Sequence, residues 1–67
     1  MKKLRELAEE YLEQERAIRQ RVQELKQRAA TLRGEDSRLM AARIEDLIRM
    51  AWECRRVGGY LKHYYPA

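Results

Sequence analysis

The sequence predicts an all-α protein, an antiparallel two-helix hairpin of the coiled-coil-like kind that dimerises into a four-helix bundle. Three observations predict it: two apolar stripes with helical spacing, a single glycine between them, and a composition dominated by helix-forming residues. The few β-branched residues are scattered, and no alternating strand pattern appears. We therefore expect the 67 residues to form one domain over residues 1–67.

The first stripe fills the N-terminal half, where apolar residues recur at steps of three and four. Such spacing places them along one side of a helix as the a and d positions of a heptad seam, with Glu15 as the one charged member. We predict this helix over about residues 2–33, ending where Gly34 can adopt the left-handed backbone. The seam consists of Leu4, Ala8, Tyr11, Glu15, Ile18, Val22, Leu25, Ala29 and Leu32.

The second stripe begins after a short connection and has the same spacing. Its members are Met40, Ile44, Leu47, Ala51, Cys54, Gly58, Leu61 and Tyr65. Asp36 or Ser37 is expected to cap this helix, which leaves a turn of about residues 34–36. We predict a helix over about residues 37–57 and a tyrosine-rich helical extension to 65. Within that extension, Gly58 and its neighbour Gly59 either admit Tyr11 close to the backbone or produce a kink.

So short a turn requires the helices to run antiparallel. Charge agrees, because residues 16–33 carry six basic groups and one acidic group, whereas 34–50 carry three basic and four acidic groups. Folding the stripes together predicts eight layers. They pair Ala29 with Met40, Leu25 with Ile44, Val22 with Leu47, Ile18 with Ala51, Glu15 with Cys54, Tyr11 with Gly58, Ala8 with Leu61, and Leu4 with Tyr65.

Both helices carry more apolar surface than one partner helix can cover. A chain of this size buries only about 60% of its unfolded surface, and fully burying one large apolar side chain contributes about 1.5–3 kcal/mol. We therefore predict a homodimer, with a different protein docking on the same residues as the alternative. The surplus residues on the flanks of the stripes, which form the predicted interface, are Leu7, Leu12, Ile48, Met50, Trp52, Val57 and Tyr64.

Basic residues are concentrated in the second half of the first helix and late in the second. One interpretation is a patch that binds nucleic acid or an acidic partner. The other is that their stems cover apolar neighbours while their charged groups pair with carboxylates, which the net charge of only +4 favours. The residues concerned are Arg16, Arg19, Arg21, Lys26, Arg28, Arg55, Arg56 and Lys62.

Two further polar features need a partner. Glu15 in the seam is costly unless it is paired, and we expect Arg55 to reach it from the second helix. The tyrosine-rich tail alternates aromatic and basic residues, a combination that binds bases or protein hot spots. We favour the simpler interpretation that Tyr64 and Tyr65 close the open end of the hairpin against Leu4 and Leu7.

No catalytic motif is present, since the chain has one serine, one histidine and one cysteine. Structural zinc normally needs four ligands, so we expect no metal and no cofactor. No apolar run approaches the roughly 18 residues of a membrane span, and we expect a cytoplasmic protein. The predicted function is a non-enzymatic, self-associating adaptor or regulator acting through protein–protein contacts. The alternative is a small basic nucleic-acid-associated accessory protein.

Overall fold

The computed structural model describes residues 3–64, with Tyr64 described by its backbone only. It contains two helices, α1 (Leu4–Ala29) and α2 (Glu35–Tyr64), which pack against each other as an antiparallel hairpin. No strand occurs between residues 3 and 64. The all-α hairpin predicted from the two apolar stripes is confirmed.

The hairpin is a narrow rod. Its principal extents are 50 × 18 × 14 Å and its radius of gyration is 15.2 Å. A compact chain of this length has a radius of gyration of about 11 Å. The elongation follows from the length of α2, whose 30 residues rise about 1.5 Å each. Within residues 3–64 no third element packs across the two helices.

The first helix ends at Ala29, before the predicted position near residue 33. The last turn tightens there, because the N–H groups of Thr31 and Leu32 bond to the carbonyls three residues earlier, at Arg28 and Ala29. The Thr31 hydroxyl also donates to the Arg28 carbonyl at 2.8 Å. These bonds occupy the carbonyl groups of Arg28 and Ala29, which in a longer helix would accept from N–H groups four residues further on. The helix therefore ends before it reaches Gly34.

The second helix begins directly after Gly34, which has a φ of +65° as the sequence predicted. Its carbonyl accepts a hydrogen bond from the N–H of Arg38 at 3.3 Å, the first bond of α2. Gly34 therefore occupies the N-cap position, and the predicted caps Asp36 and Ser37 lie inside the first turn. The cap prediction is wrong because the glycine completes the chain reversal by itself. Glu35 and Asp36 then place negative charge where the helix dipole favours it.

The second helix continues through both late glycines to Tyr64. Gly58 is buried against α1: a Cβ there would lie 3.0 Å from Leu12 Cγ and Cδ2 and 3.1 Å from the Ala8 carbonyl oxygen. Gly59 is open, with nothing within 4 Å of the equivalent point. The close approach predicted for this layer is present, but Leu12 makes it in place of Tyr11.

Most of the apolar packing lies in the half of the hairpin nearer the turn. Val22, Leu25 and Ile44 are buried there, and the three predicted layers nearest the turn fall within this cluster. The open half contributes two buried alanines, Ala8 and Ala51. Partly buried side chains surround the cluster at Ile18, Ala29, Met40, Leu47 and Ile48. The outermost predicted layer pairs Leu4 with Tyr65, and Tyr65 lies outside the described residues.

Substitution of the two late glycines should separate packing from helix propensity. Gly59→Ala should raise the free energy of unfolding by about 0.5–1 kcal/mol, because alanine is the better helix former and the site is open. Gly58→Ala gains the same propensity but crowds Leu12 and the Ala8 carbonyl, at a cost of about 1–3 kcal/mol. We expect it to be less stable than wild type in urea unfolding followed by circular dichroism. Equal stabilisation by both substitutions would contradict the close approach.

Gly34 should resist replacement for a different reason. Gly34→Ala places a Cβ at positive φ, which costs about 1–2 kcal/mol even though the surrounding space is empty. Gly34→Asn should lose less, because asparagine tolerates the left-handed backbone better. Urea midpoints measured at one protein concentration give the comparison, and equal losses from both variants would refute the conformational explanation.

Candidate interaction surface

Trp52 is the largest exposed side chain that the structure describes, with 56% of its surface accessible. The Arg19 guanidinium carbon from α1 lies 5.1 Å from the centroid of its ring. The corresponding carbon of Arg55, on α2 itself, lies 5.6 Å away. Cation–π contacts of this kind contribute about 0.5–1 kcal/mol each at exposed sites. The indole is therefore held in place by cations from both helices while much of its surface remains available.

Arg19 also forms a short ion pair within α1. Its Nε–H donates to Glu15 Oε2 at 2.7 Å, and the Glu15 side chain is only 12% exposed. The predicted pairing of Glu15 with Arg55 is wrong. Residues four apart on one helix are neighbours, so Arg19 reaches the Glu15 carboxylate from within α1. The pair therefore needs no contact with the second helix. Arg55 lies over the ring of Trp52 instead of pairing with Glu15.

Trp52 belongs to a shallow groove along the C-terminal half of α2. We call it the Trp52 groove; it has a volume of about 580 Å³ and is lined by Arg49, Trp52, Glu53, Arg55, Arg56, Gly59 and Tyr60. Tyr60 is 61% exposed, and Gly59 leaves the floor between the two aromatic residues open. Three arginines against one glutamate give the groove a net charge of +2. It therefore combines exposed aromatic surface with positive charge.

A second groove of about 550 Å³ lies towards the open end and carries the opposite charge. We call it the acidic groove; it is lined by Glu6, Glu9, Glu10, Leu12, Glu13, Arg16 and Lys62. Four carboxylates against two cations give it a net charge of −2. Leu12, Arg16 and Arg19 follow one another at steps of four and three, so they lie in one row on α1. Because Leu12 and Arg16 line the acidic groove and Arg19 contacts Trp52, the two grooves border the same side of the hairpin.

The residues predicted as an interface divide into two groups. Met50 and Trp52 are exposed, and Leu7 and Val57 are half-buried. Leu12 and Ile48 instead take part in the packing of the hairpin itself, against Gly58 and against the core cluster respectively. The Tyr64 side chain lies outside the described part of the chain.

The sequence-based prediction missed one exposed apolar residue near the turn. Leu39 is 63% exposed, and with Leu32, Asp36, Met40 and Arg43 it lines a smaller groove near the turn. Its spacing was the available signal, since it precedes Met50 by about three helical turns and so shares that side of α2.

The eight basic residues lie in different surroundings. Arg55 and Arg56 line the Trp52 groove, with Arg19 beside them, whereas Arg16 and Lys62 lie among the glutamates of the acidic groove. Arg21 pairs with Glu24 at 3.2 Å. Lys26 and Arg28 are exposed in the last turn of α1. Arg49, which the sequence analysis did not select, joins the groove because it lies one helical turn before Trp52.

The described residues form surface grooves but no cluster of metal ligands. Within residues 3–64 no three histidine, cysteine, aspartate or glutamate side chains are grouped to hold a metal ion. Neither α1 nor the described length of α2 has the length and apolarity needed to cross a bilayer. Cys54 is half-buried, with Sγ 3.8 Å from Gln14 Oε1. Comparison with protein-family models, curated proteins and solved structures gave no match.

The Glu15–Arg19 pair should contribute measurably to stability. Glu15→Gln keeps the shape of the side chain but removes the charge from a largely buried position, and we expect a loss of about 1–2 kcal/mol in the free energy of unfolding. Glu24→Gln is the matched control, because it breaks an exposed pair and should change stability by less than about 0.5 kcal/mol. Thermal and urea unfolding measure both. Equal effects would show that burial of Glu15 does not strengthen the pair.

Proposed function

We propose that this chain is a non-enzymatic helical hairpin that self-associates into a four-helix bundle and acts as an adaptor or regulator through protein–protein contacts. The observation that carries the proposal is the excess of accessible surface. The chain exposes 5804 Å² at a mass of 8.1 kDa. A compact monomer of that mass exposes roughly 4,500 Å². The difference, on the order of 1,300 Å², exceeds the roughly 800 Å² that a standard interface takes from each partner, so the chain has enough surplus surface for such an interface.

The thin core of the single hairpin supports the same proposal. The buried apolar residues among those described are Ala8, Val22, Leu25, Ile44 and Ala51, and no large side chain among them is completely enclosed. Several larger apolar side chains remain exposed, and burying each of them would contribute about 1.5–3 kcal/mol. They are Leu39, Met50, Trp52 and Tyr60. Association with a second chain through the Trp52 groove recovers this contribution for Trp52 and Tyr60.

The composition of the Trp52 groove favours a protein partner. Hot spots of protein interfaces are enriched in tryptophan, tyrosine and arginine, and this groove contains all three. Trp52 is held by two guanidinium groups before any partner arrives, which reduces the entropy lost on binding. Nucleic-acid association has weaker support, because the basic residues face different surroundings and several are paired with or surrounded by carboxylates.

Mass in solution tests the proposal directly. Sedimentation equilibrium over a range of concentrations should give twice the chain mass of 8.1 kDa, with a reversible dissociation at low concentration. Trp52→Ala should weaken the dimer about thirtyfold or more, as removal of a hot-spot residue does. Leu39→Ala is the control, because it truncates an equally exposed apolar side chain outside the Trp52 groove and should change the dissociation constant only slightly.

Two outcomes would contradict this proposal. A chain that stays monomeric at every concentration, with its helicity intact, would end the self-association. Retention of a single-stranded oligonucleotide that falls steeply with salt, and disappears in the double variant Arg49→Glu/Arg56→Glu, would replace protein contact by nucleic-acid binding. We expect no such retention.

A further inference from the structure

We propose that in the homodimer the acidic groove of each chain docks on the Trp52 groove of the other. This inference rests on the self-association proposed above and specifies the surfaces that meet. In the resulting bundle, the N-terminal half of α1 lies antiparallel along the C-terminal half of α2 from the second copy. The contact occurs twice in the dimer, because each chain contributes one acidic groove and one Trp52 groove.

The acidic groove and the Trp52 groove have complementary charges. The acidic groove carries four glutamates and two cations, and the Trp52 groove carries three arginines and one glutamate. Their net charges, −2 and +2, are equal and opposite. Arg49 is available for such a contact, because its only described partner is Asp46 at 3.6 Å and both side chains are about 70% exposed. Complementary potentials of this kind fix the register of an interface and suppress wrong pairings.

The placement of the grooves satisfies the symmetry of a dimer. Both border the same side of the hairpin, the acidic groove along α1 and the Trp52 groove along α2, and both belong to its open half. A two-fold axis parallel to the helices then sets α1 of one chain over α2 of its partner, and α2 over α1. The surface is therefore self-complementary, which an isologous interface requires. Neighbouring helices are antiparallel throughout, as in common four-helix bundles.

The accessible surface agrees with a dimer. The chain exposes on the order of 1,300 Å² more than a compact monomer of its mass. A standard interface takes roughly 800 Å² from each partner. Leu12 contributes apolar surface to the acidic groove, facing the exposed aromatic residues of the other groove in the docked pair.

The competing two-fold arrangement is disfavoured by charge. An axis perpendicular to the helices and passing through the Trp52 groove would set that groove against its own copy. That arrangement brings the three arginines of one Trp52 groove against the three of the other, and like charges across an interface cost several kcal/mol. In the first orientation each Trp52 groove meets a groove of opposite net charge.

Reciprocal charge reversal tests the docking. The first variant, Arg49→Glu/Arg56→Glu, makes the Trp52 groove acidic. The second, Glu9→Lys/Glu13→Lys, makes the acidic groove basic. Each should form its own homodimer at least tenfold more weakly than wild type, because both of its contacts now repel. An equimolar mixture should recover a heterodimer of near wild-type affinity, since every contact between the two variants joins opposite charges. Sedimentation equilibrium with one variant labelled follows the recovery.

The control reverses the same number of charges elsewhere. Arg33→Glu/Arg38→Glu alters two exposed arginines near the turn, outside both grooves, and should dimerise as wild type does. Equal weakening of this control, or a mixture that stays monomeric, would overturn the docking. So would variants that dimerise normally, although self-association would then stand with a different interface. A monomeric wild type would instead remove the proposed self-association itself.

Discussion

Two helices can bury only the stripes along which they touch, and this limit determines most of what the chain presents to solvent. Each helix here has one stripe against its neighbour and additional apolar side chains beside it. The larger buried residues, Leu25 and Ile44 among them, lie towards the turn, whereas Ala8, Ala51 and Gly58 allow a close approach further along. Small residues bring helix axes together but bury little apolar area. The hairpin is consequently held mainly near its turn, and its open half carries the two largest of the grooves described above.

The sequence determined the larger features because they depend on periodicity. Apolar steps of three and four fixed the helices, their antiparallel direction and the layers near the turn. The ends of the helices depended on local hydrogen-bond choices that periodicity does not encode. The Thr31 hydroxyl and the tightened last turn ended α1 before Gly34, and the glycine itself served as the cap that Asp36 or Ser37 was expected to provide.

The candidate surface was predicted less completely, for a related reason. A regular helix drifts relative to a strict seven-residue repeat, so a residue assigned to a flank can enter the seam a few turns further on. Leu12 replaced Tyr11 against Gly58 in this way, and Ile48 moved into the packing around the core. The basic patch was predicted from stretches of sequence that are rich in basic residues, and Arg49 lies outside those stretches. Helical spacing would have placed Arg49 beside Trp52, since the two are three residues apart on one side of α2.

Trp52 is the only tryptophan of the chain, and its ring lies 5.1 Å from a guanidinium belonging to the opposite helix. Indole emission is sensitive to nearby charge and to water, so this one native chromophore responds both to separation of the helices and to coverage of the Trp52 groove. Separation of the two helices removes the Arg19 cation, and coverage of the groove excludes solvent. The protein thus carries an intrinsic optical reporter in which opening of the hairpin and occupation of its outer surface can be followed without a label.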